Sequence, residues 1–409
     1  MSDTELDFDF DEAWYLQNYP DVAKGVREGN CSSGLDHYLR HGRSEGRKPS
    51  AGFDAEWYVR AYPPVLKETG SATPEALGRH YRERGCHRGY LPHPKAMRPR
   101  NAAALRSEFG GLWIDHANAQ DLIAGRQQLG LIDSDEARLL ATFVEQGFVI
   151  LPQAVPAELI DRAEQDVDLA YGGGMPALRF ECHTLSPDHI TWHPELRDYA
   201  AKALDFHWHS ATVRDAIFCP AIVRFLQLIF ERPVLASQSL VFYRGSGQDI
   251  HQDSAYVPYS LPLQFAASWI ALENVTEGAG ELEYFVESHR KLPDFVYGNA
   301  YKSVSEAGRS GSGHNVLTDE VRQHLDAIQH AARTQGLRKE RFFARRGDVL
   351  IWHADLAHGG SPISSKNTRK SLVTHYCPSE VAPLYFENGE TEIRQHDAIN
   401  FFSSGLYNN

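Results

Sequence analysis

The sequence predicts an α+β chain in two parts: a small all-α region at the front, then a larger domain whose second half is a β-sandwich or barrel. Three observations carry this. Residues 10–50 and 53–93 are copies of one unit at a constant offset of 43. Helical periodicity dominates 115–171, broken by one short strand-like run. From residue 233 onward, short apolar or alternating runs separated by turn residues take over.

In the front region, FDEAWYLQNYPDV from Phe10 matches FDAEWYVRAYPPV from Phe53. His37, Tyr38, Gly42, Gly46 and Pro49 recur at His80, Tyr81, Gly85, Gly89 and Pro92. A fixed offset over so many aromatic, glycine and proline positions marks a tandem repeat. Asp11 and Asp54 are expected N-caps, because a carboxylate accepts from the free amides of a first turn. The Tyr-Pro step should end the first helix of each unit. Leu35–His41 and Ala76–Arg84 then form a second helix, each followed by a glycine stop. The Trp and Tyr residues would serve as a binding platform or as a core. A unit this short must bury its aromatics to fold, so a core is expected. The unit resembles short tandem repeats found beside bacterial glycosyltransferases and other glycan-modifying enzymes.

The chain has 409 residues, 42% of them apolar and 23% charged, which is ordinary for a globular protein. The net charge of −13 argues against nucleic acid, whose phosphates need clustered Lys and Arg. The acidic start MSDTELDFDFDEAW lacks the basic and apolar regions of a secretory signal. No apolar run reaches 18 residues, so no membrane span is expected. The five cysteines are scattered without a CxxC, which favours neither disulfides nor zinc and fits a reducing cytoplasm.

Residues 94–110 carry prolines and basic residues and read as a linker entering a helix. Two helices follow to residue 146, the second capped by Asp133-Ser134. The expected organisation is repeats over 1–95, a helical linker over 96–134 and the large domain over 135–409. GFVILPQAV is strand-like. PAELIDRAEQDVDLAY is a helix with Leu159, Ala163 and Val167 buried and Asp161, Glu164 and Asp168 towards solvent. Residues 172–210 are irregular, and His183, His189, His193, His207 and His209 are expected to be loop and pocket-wall residues. LASQSLVFYRG, FAASWIALENV, GELEYFVESHR, GDVLIWHADLAHGG and RKSLVTHYC supply the strands. An insertion over 294–340, with GRSGSGHN and a helix ending at Gly336, is expected to form a lid.

The chemistry centres on His251-Gln252-Asp253. In an extended segment, residues i and i+2 point to the same side, so the imidazole of His251 and the carboxylate of Asp253 are presented together. That is two thirds of a facial two-His, one-carboxylate set for non-haem iron. His353 and His358 are candidates for the third ligand. His353 follows an aromatic residue inside a strand and reads as a packed structural histidine. His358 is followed by Gly359-Gly360, which permit close backbone approach. Arg369 stands eleven residues later. Its planar fork suits the far carboxylate of a dicarboxylic cosubstrate, and Ser371 on the same strand face can join it. The rival reading puts Arg369 on the surface in a basic run with Lys366 and Lys370.

His251-x-Asp253, His358 and Arg369 together resemble the phytanoyl-CoA dioxygenase family of iron(II)/2-oxoglutarate oxygenases, over about residues 137–380. GFVILPQAV before a helix, GSGQDIHQD, ASWIALENVTEGAGELEYFVESHR and GDVLIWHADLAHGG support the likeness. The resemblance implies a double-stranded β-helix, a jelly roll with helices packed on one side. It implies iron(II) on His251, Asp253 and His358, 2-oxoglutarate held by Arg369 and O2 as the other cosubstrate. Gln238 and Trp269 fall where the family lines the cosubstrate pocket. An aspartate at 253 implies hydroxylation, since halogenating relatives carry a small residue there. Two departures stand out. Glu287 precedes Ser-His-Arg where glycine is usual, and Gly360 replaces a serine seen in some members, leaving Ser361 or Ser371 to offer a hydroxyl. The expected substrate is a small molecule or a glycan precursor. The alternative is a non-catalytic jelly-roll scaffold whose repeats engage a partner.

Overall fold

Each repeat folds around its aromatic residues. The structure, a computed structural model, describes residues 10–45, 47–49, 53–61, 65–81, 84, 105–107, 109–257, 259–295, 319–383 and 393–402. By contacts it divides into Met1–Ala104 and Leu105–Asn409. In the first unit, α1 (Glu12–Asn18), α2 (Pro20–Arg27) and α3 (Gly34–His37) build one repeat, with a π-helical turn over Tyr38–Gly42. The second repeat has α4 (Ala55–Ala61), α5 (Val65–Thr69) and α6 (Pro74–His80). Asp11 caps α1, accepting from the Trp14 amide at 2.9 Å. Pro20 opens α2 at a position where its missing N–H costs nothing. Ring centroids of Phe10, Tyr15 and Tyr38 lie 4.9, 5.5 and 5.7 Å apart, and those of Phe53, Tyr58 and Tyr81 lie 5.1, 5.8 and 5.9 Å apart. Tyr15, Tyr38 and Tyr58 are fully buried, so these rings are a core rather than a platform. Tyr62-Pro63, Gly85, Gly89, residues 96–104 and GRSGSGHN lie outside the described residues.

In the second unit, α7 (Ala119–Gln128) and α8 (Ser134–Gln146) lead into β1 (Phe148–Leu151). Asp133 and Glu136 form a capping box on α8, and Gly147 ends it at φ +86°. Residues 105–128, read from sequence as part of a linker, group with this unit. Trp113 Nε1 donates to Leu228 O at 3.0 Å, and Arg106 donates to the carbonyls of Arg290 and Leu292. Next come α9 (Ala157–Tyr171), β2 (Arg179–Glu181), β3 (Lys202–Leu204), α10 (Phe206–His209), α11 (Ala211–Ile217) and α12 (Pro220–Phe230). The strands β4 (Val234–Phe242), β5 (Ala266–Ala271) and β6 (Leu282–Phe285) follow, then α13 (Ser288–Lys291) and α14 (Asp319–Thr334). The chain continues through β7 (Lys339–Phe342), β8 (Val349–His353), β9 (His358–Gly360), β10 (Ser371–Pro378), β11 (Ile393–His396) and β12 (Ile399–Phe402).

The larger sheet runs β1-β8-β5-β10-β4-β12-β11, with β3 also on β4 and β2 on β3, and the smaller runs β7-β6-β9. Side-chain alternation divides the larger sheet between two cores. On one face Val241, Ile270, Val349, Ile351, Leu372 and Tyr376 pack with helix residues such as Phe143, Ile160, Val167 and Leu226. On the other, Ala267, Trp269, Ala271, Leu350 and Trp352 meet Leu282, Tyr284 and Phe342 of the smaller sheet. Buried on both faces, β5 and β8 read as continuous apolar runs. Two facing sheets with helices behind the larger one make a jelly roll. The acids of α9 are not simply solvated: Lys370 Nζ donates to Glu164 and Asp168 at 2.8 and 3.0 Å, and Asp161 pairs with Arg346. They tie the helix to the sheet.

Candidate metal and cosubstrate site

The two candidate histidine ligands are backbone partners. His251 N donates to His358 O and His358 N to His251 O, both at 2.9 Å. This reciprocal antiparallel pair sets the rings 4.7 Å apart. The approach needs Gly359, because a Cβ there would meet Gln248 O at 2.7 Å. The 251–253 segment is not the strand expected: Asp253 begins a 3-10 turn over Asp253–Ala255. The i,i+2 relation survives because Gln252 itself is extended, at φ −110° and ψ 130°. Gln252 points away and donates from Nε2 to Asp355 O at 2.8 Å. His251 Nε2 and His358 Nε2 lie 3.4 and 3.7 Å from Asp253 Oδ1. Their ligating atoms all fall within 4.8 Å of one another, the one such cluster found among the described residues.

The remaining polar atoms of this trio are already engaged. His251 Nδ1 donates to Asp249 O and His358 Nδ1 to Leu356 O, each at 2.8 Å. A carbonyl can only accept, so the proton sits on Nδ1 and the lone pair on Nε2 faces the cluster. Trp352 Nε1 donates to Asp253 Oδ2 at 2.8 Å, and His375 Nε2 lies 3.3 Å from the same oxygen. Oδ1 is left for a metal. Burial lowers the His358 pKa to about 4, against the pull of Asp253. Burial raises the Asp253 pKa, but His358, His375 and His251 outweigh it and hold the carboxyl well below its ordinary value. A neutral imidazole and an ionised carboxylate are the protonation states that metal ligation requires.

A second set of buried polar groups lies on and beside β5 and β10 of the larger sheet. Ser371 is opposite Ala271, and Val373, two residues on, is opposite Trp269. Arg369 is 2% exposed, which removes the surface reading. Its guanidinium carbon is 5.6 Å from the Trp269 ring centroid, and one Nη donates to Gly280 O at 2.5 Å. Burial lowers its pKa to about 10, with Glu281 opposing. Among the described residues, the buried Arg369 Nε, Ser371 Oγ and Trp269 Nε1 have no hydrogen-bond partner. A buried cation and two buried neutral donors left unmatched fit an anionic acceptor such as a carboxylate. Of the two serines considered, Ser361 already donates to Glu281. Gln238 is half-buried and opposite His375 on β4, so it shares that strand face.

His353 lies elsewhere, with Nε2 3.1 Å from Asp115 Oδ1 and its ring 5.2 Å from that of His289. Among the loop histidines, His207 is fully buried, with Nδ1 at 2.6 Å from Ser239 Oγ and Nε2 at 2.8 Å from Phe402 O. His183 and His189 approach Glu181. Trp352 and His375 were not singled out from the sequence. A polar residue in the apolar run SLVTHYC, four places after Ser371 and hence on its face, was the available signal for His375.

The sequence model of the phytanoyl-CoA dioxygenase family matches residues 143–371, more than half of the chain. No curated protein matches. Among solved structures, the non-haem α-ketoglutarate-dependent carbocyclase SnoK of nogalamycin biosynthesis is 14% identical, with a TM-score of 0.45, over 62% of this chain and 87% of its own. EctD from S. alaskensis is 15% identical, with a TM-score of 0.43, over 60% and 77%. HygX from Streptomyces hygroscopicus, solved with nickel and 2-oxoglutarate bound, is 12% identical, with a TM-score of 0.37, over 59% and 86%.

Proposed function

Since the chain belongs to the phytanoyl-CoA dioxygenase family and is thus an iron(II)/2-oxoglutarate-dependent oxygenase, we propose that it hydroxylates an unactivated C–H bond of a small molecule or glycan precursor. His251, Asp253 and His358 hold the iron, and Arg369, Ser371 and Trp269 receive the cosubstrate. Gln238 lines the same pocket. With O2, the bound iron and 2-oxoglutarate supply the oxidant that attacks the C–H bond.

The chain's own groups do the positioning. Asp249 O and Leu356 O fix the ligand tautomers, and Trp352 and His375 keep Asp253 turned so that one oxygen faces the metal. Arg369 and Ser371 bind the far carboxylate, which relieves the cost of their unpartnered burial. Tyr256 and Trp352 wall the ligand rings, their centroids 5.3 and 4.7 Å from those of His251 and His358, and exclude water. The observation that carries the reading is the coexistence of a pre-set ligand trio with buried donors of Arg369, Ser371 and Trp269 that lack partners among the described residues. No described helix is long and apolar enough to cross a membrane. Free Cys182, Cys219 and Cys377 agree with a reducing cytoplasm as the place of action.

The first test is anaerobic: iron(II) and 2-oxoglutarate should give a visible charge-transfer band in the wild type and none in Asp253→Ala. No band in the wild type at saturating cosubstrate would refute the site. Succinate release over a panel of nucleotide sugars and small metabolites then addresses the substrate. If every sugar stays at the substrate-free background, the glycan reading is lost.

A further inference from the structure

The two repeats are close copies, and they differ where it matters for ligand binding. In the second, Tyr58 Oη bonds His80 Nδ1 at 3.0 Å, and His80 Nε2 meets Glu68 Oε2 at 3.1 Å. Arg84 Nη1 approaches the same Glu68 oxygen at 3.7 Å. The chain thus fills this position with its own carboxylate. In the first repeat the frame is the same, with Tyr15 Oη 3.2 Å from His37 Nδ1. Offset by 43, the residue matching Glu68 is Gly25, and the residue matching Arg84 is His41.

A cavity of about 200 Å³ lies there, lined by Asp21, Gly25, Cys31, His37, Arg40 and His41 among others. The rings of His37 and His41 are 5.6 Å apart. The nearby acids are already paired. Asp21 accepts from Arg47 at 3.0 and 2.7 Å, and Asp36 lies 2.7 Å from Arg40 Nε. Among the described residues, neither His37 nor His41 has a carboxylate partner. Cys31, His37 and His41 do not converge as metal ligands either, since the described residues yield only the His251, Asp253 and His358 cluster.

We propose that the first repeat binds a small carboxylate ligand, which takes the place that Glu68 occupies in the second. His37 donates from Nε2 to the carboxylate, the neighbouring His41 ring offers a second N–H, and the space left by Gly25 admits a group up to about the size of a uronic acid. This site is separate from the oxygenase centre and does not depend on the reading of it.

Calorimetric titration of the full chain with D-galacturonate, acetate and D-galactose tests this. Galacturonate and acetate should bind with a roughly millimolar Kd, as fits ligands of this size, and galactose should not. Gly25→Glu should plug the cavity and weaken binding at least tenfold. A Cβ at Gly25 meets Cys31 Sγ only at 3.4 Å, so the fold should hold. Because the substitution leaves the large domain untouched, the difference from wild type isolates the repeat from any carboxylate bound near Arg369. The exposed His41→Ala is the second variant and should weaken galacturonate several-fold. Galactose binding as well as galacturonate overturns the proposal, as does wild-type affinity in either variant.

Discussion

The proposed metal corner, with His358 on the smaller sheet, and the proposed cosubstrate wall, on β5 and β10 of the larger one, are built on opposite principles. At the corner the second nitrogen or oxygen of each candidate ligand has a partner: Asp249 O for His251, Leu356 O for His358, and Trp352 with His375 for Asp253. At the wall, Arg369 Nε, Ser371 Oγ and Trp269 Nε1 are buried and unmatched. A resident metal needs ligands fixed in orientation and protonation before it arrives. A cosubstrate that is consumed each turnover needs donors that only it satisfies. The corner should therefore fail when its bonds are broken. The wall should lose affinity without losing stability.

The largest effect comes from a fully bonded residue outside both regions, His207, and shows in stability against pH. His207 has both ring nitrogens engaged, and burial lowers its pKa from 6.5 to about 4. The unfolded chain takes up a proton below 6.5 while the folded one resists until about 4. Stability is thus full above 6.5 and falls as pH drops through this window, by about 3 kcal/mol for this residue at full extent. Denaturant melts at pH 7 and pH 4 should show His207→Gln with a smaller pH-dependent loss than wild type. An equal loss would remove His207 from the account.

On the wall, Arg369→Met should raise the 2-oxoglutarate KM by about 100-fold, equivalent to about 2–3 kcal/mol for a lost charged hydrogen bond. Its melting temperature should change little, because removing the buried cation offsets the lost bond to Gly280 O. A large drop in stability with unchanged KM would make Arg369 a structural residue and collapse the contrast.

At the corner, Trp352→Phe and His375→Gln should each weaken iron(II) binding by roughly 10–100-fold, the usual cost of losing a ligand's outer partner. Equilibrium iron titration reads this without turnover. Wild-type affinity in both variants would mean that Asp253 is oriented by the turn at Asp253–Ala255 alone.

The corner and the wall were unequally legible in the sequence. His251-x-Asp253 stands out by spacing, His358 and Arg369 gain their roles from the family resemblance, and the β runs of the jelly roll show by alternation. The form of the 251–253 segment was misread, because one extended residue, Gln252, suffices to align His251 and Asp253 without a strand. The bonds of Trp352 and His375 to Asp253 are not legible in the sequence, because they span 99 and 122 residues of chain. The register of β8 and β10 on β5 sets Trp352 and His375 on either side of Ala267, from where both reach Asp253. The spent state of Ser361 was hidden for the same reason, since its partner Glu281 lies on another segment.

That last point gives the finest test. The sequence favours Ser371, on the strand face of Arg369, with Ser361 as the alternative, and the two differ in whether the hydroxyl already has a partner. Ser371→Ala deletes an unmatched donor, so the folded state gives up no hydrogen bond. Its melting temperature should match wild type within a degree or so, while the 2-oxoglutarate KM rises about three- to tenfold, as for one neutral hydrogen bond. Ser361→Ala should do the reverse, lowering stability by about 1–3 kcal/mol because it strands the Glu281 carboxylate, with KM little changed. If the two alanine variants exchanged these signatures, the wall would run through Ser361, and unmatched burial would no longer mark where the cosubstrate binds.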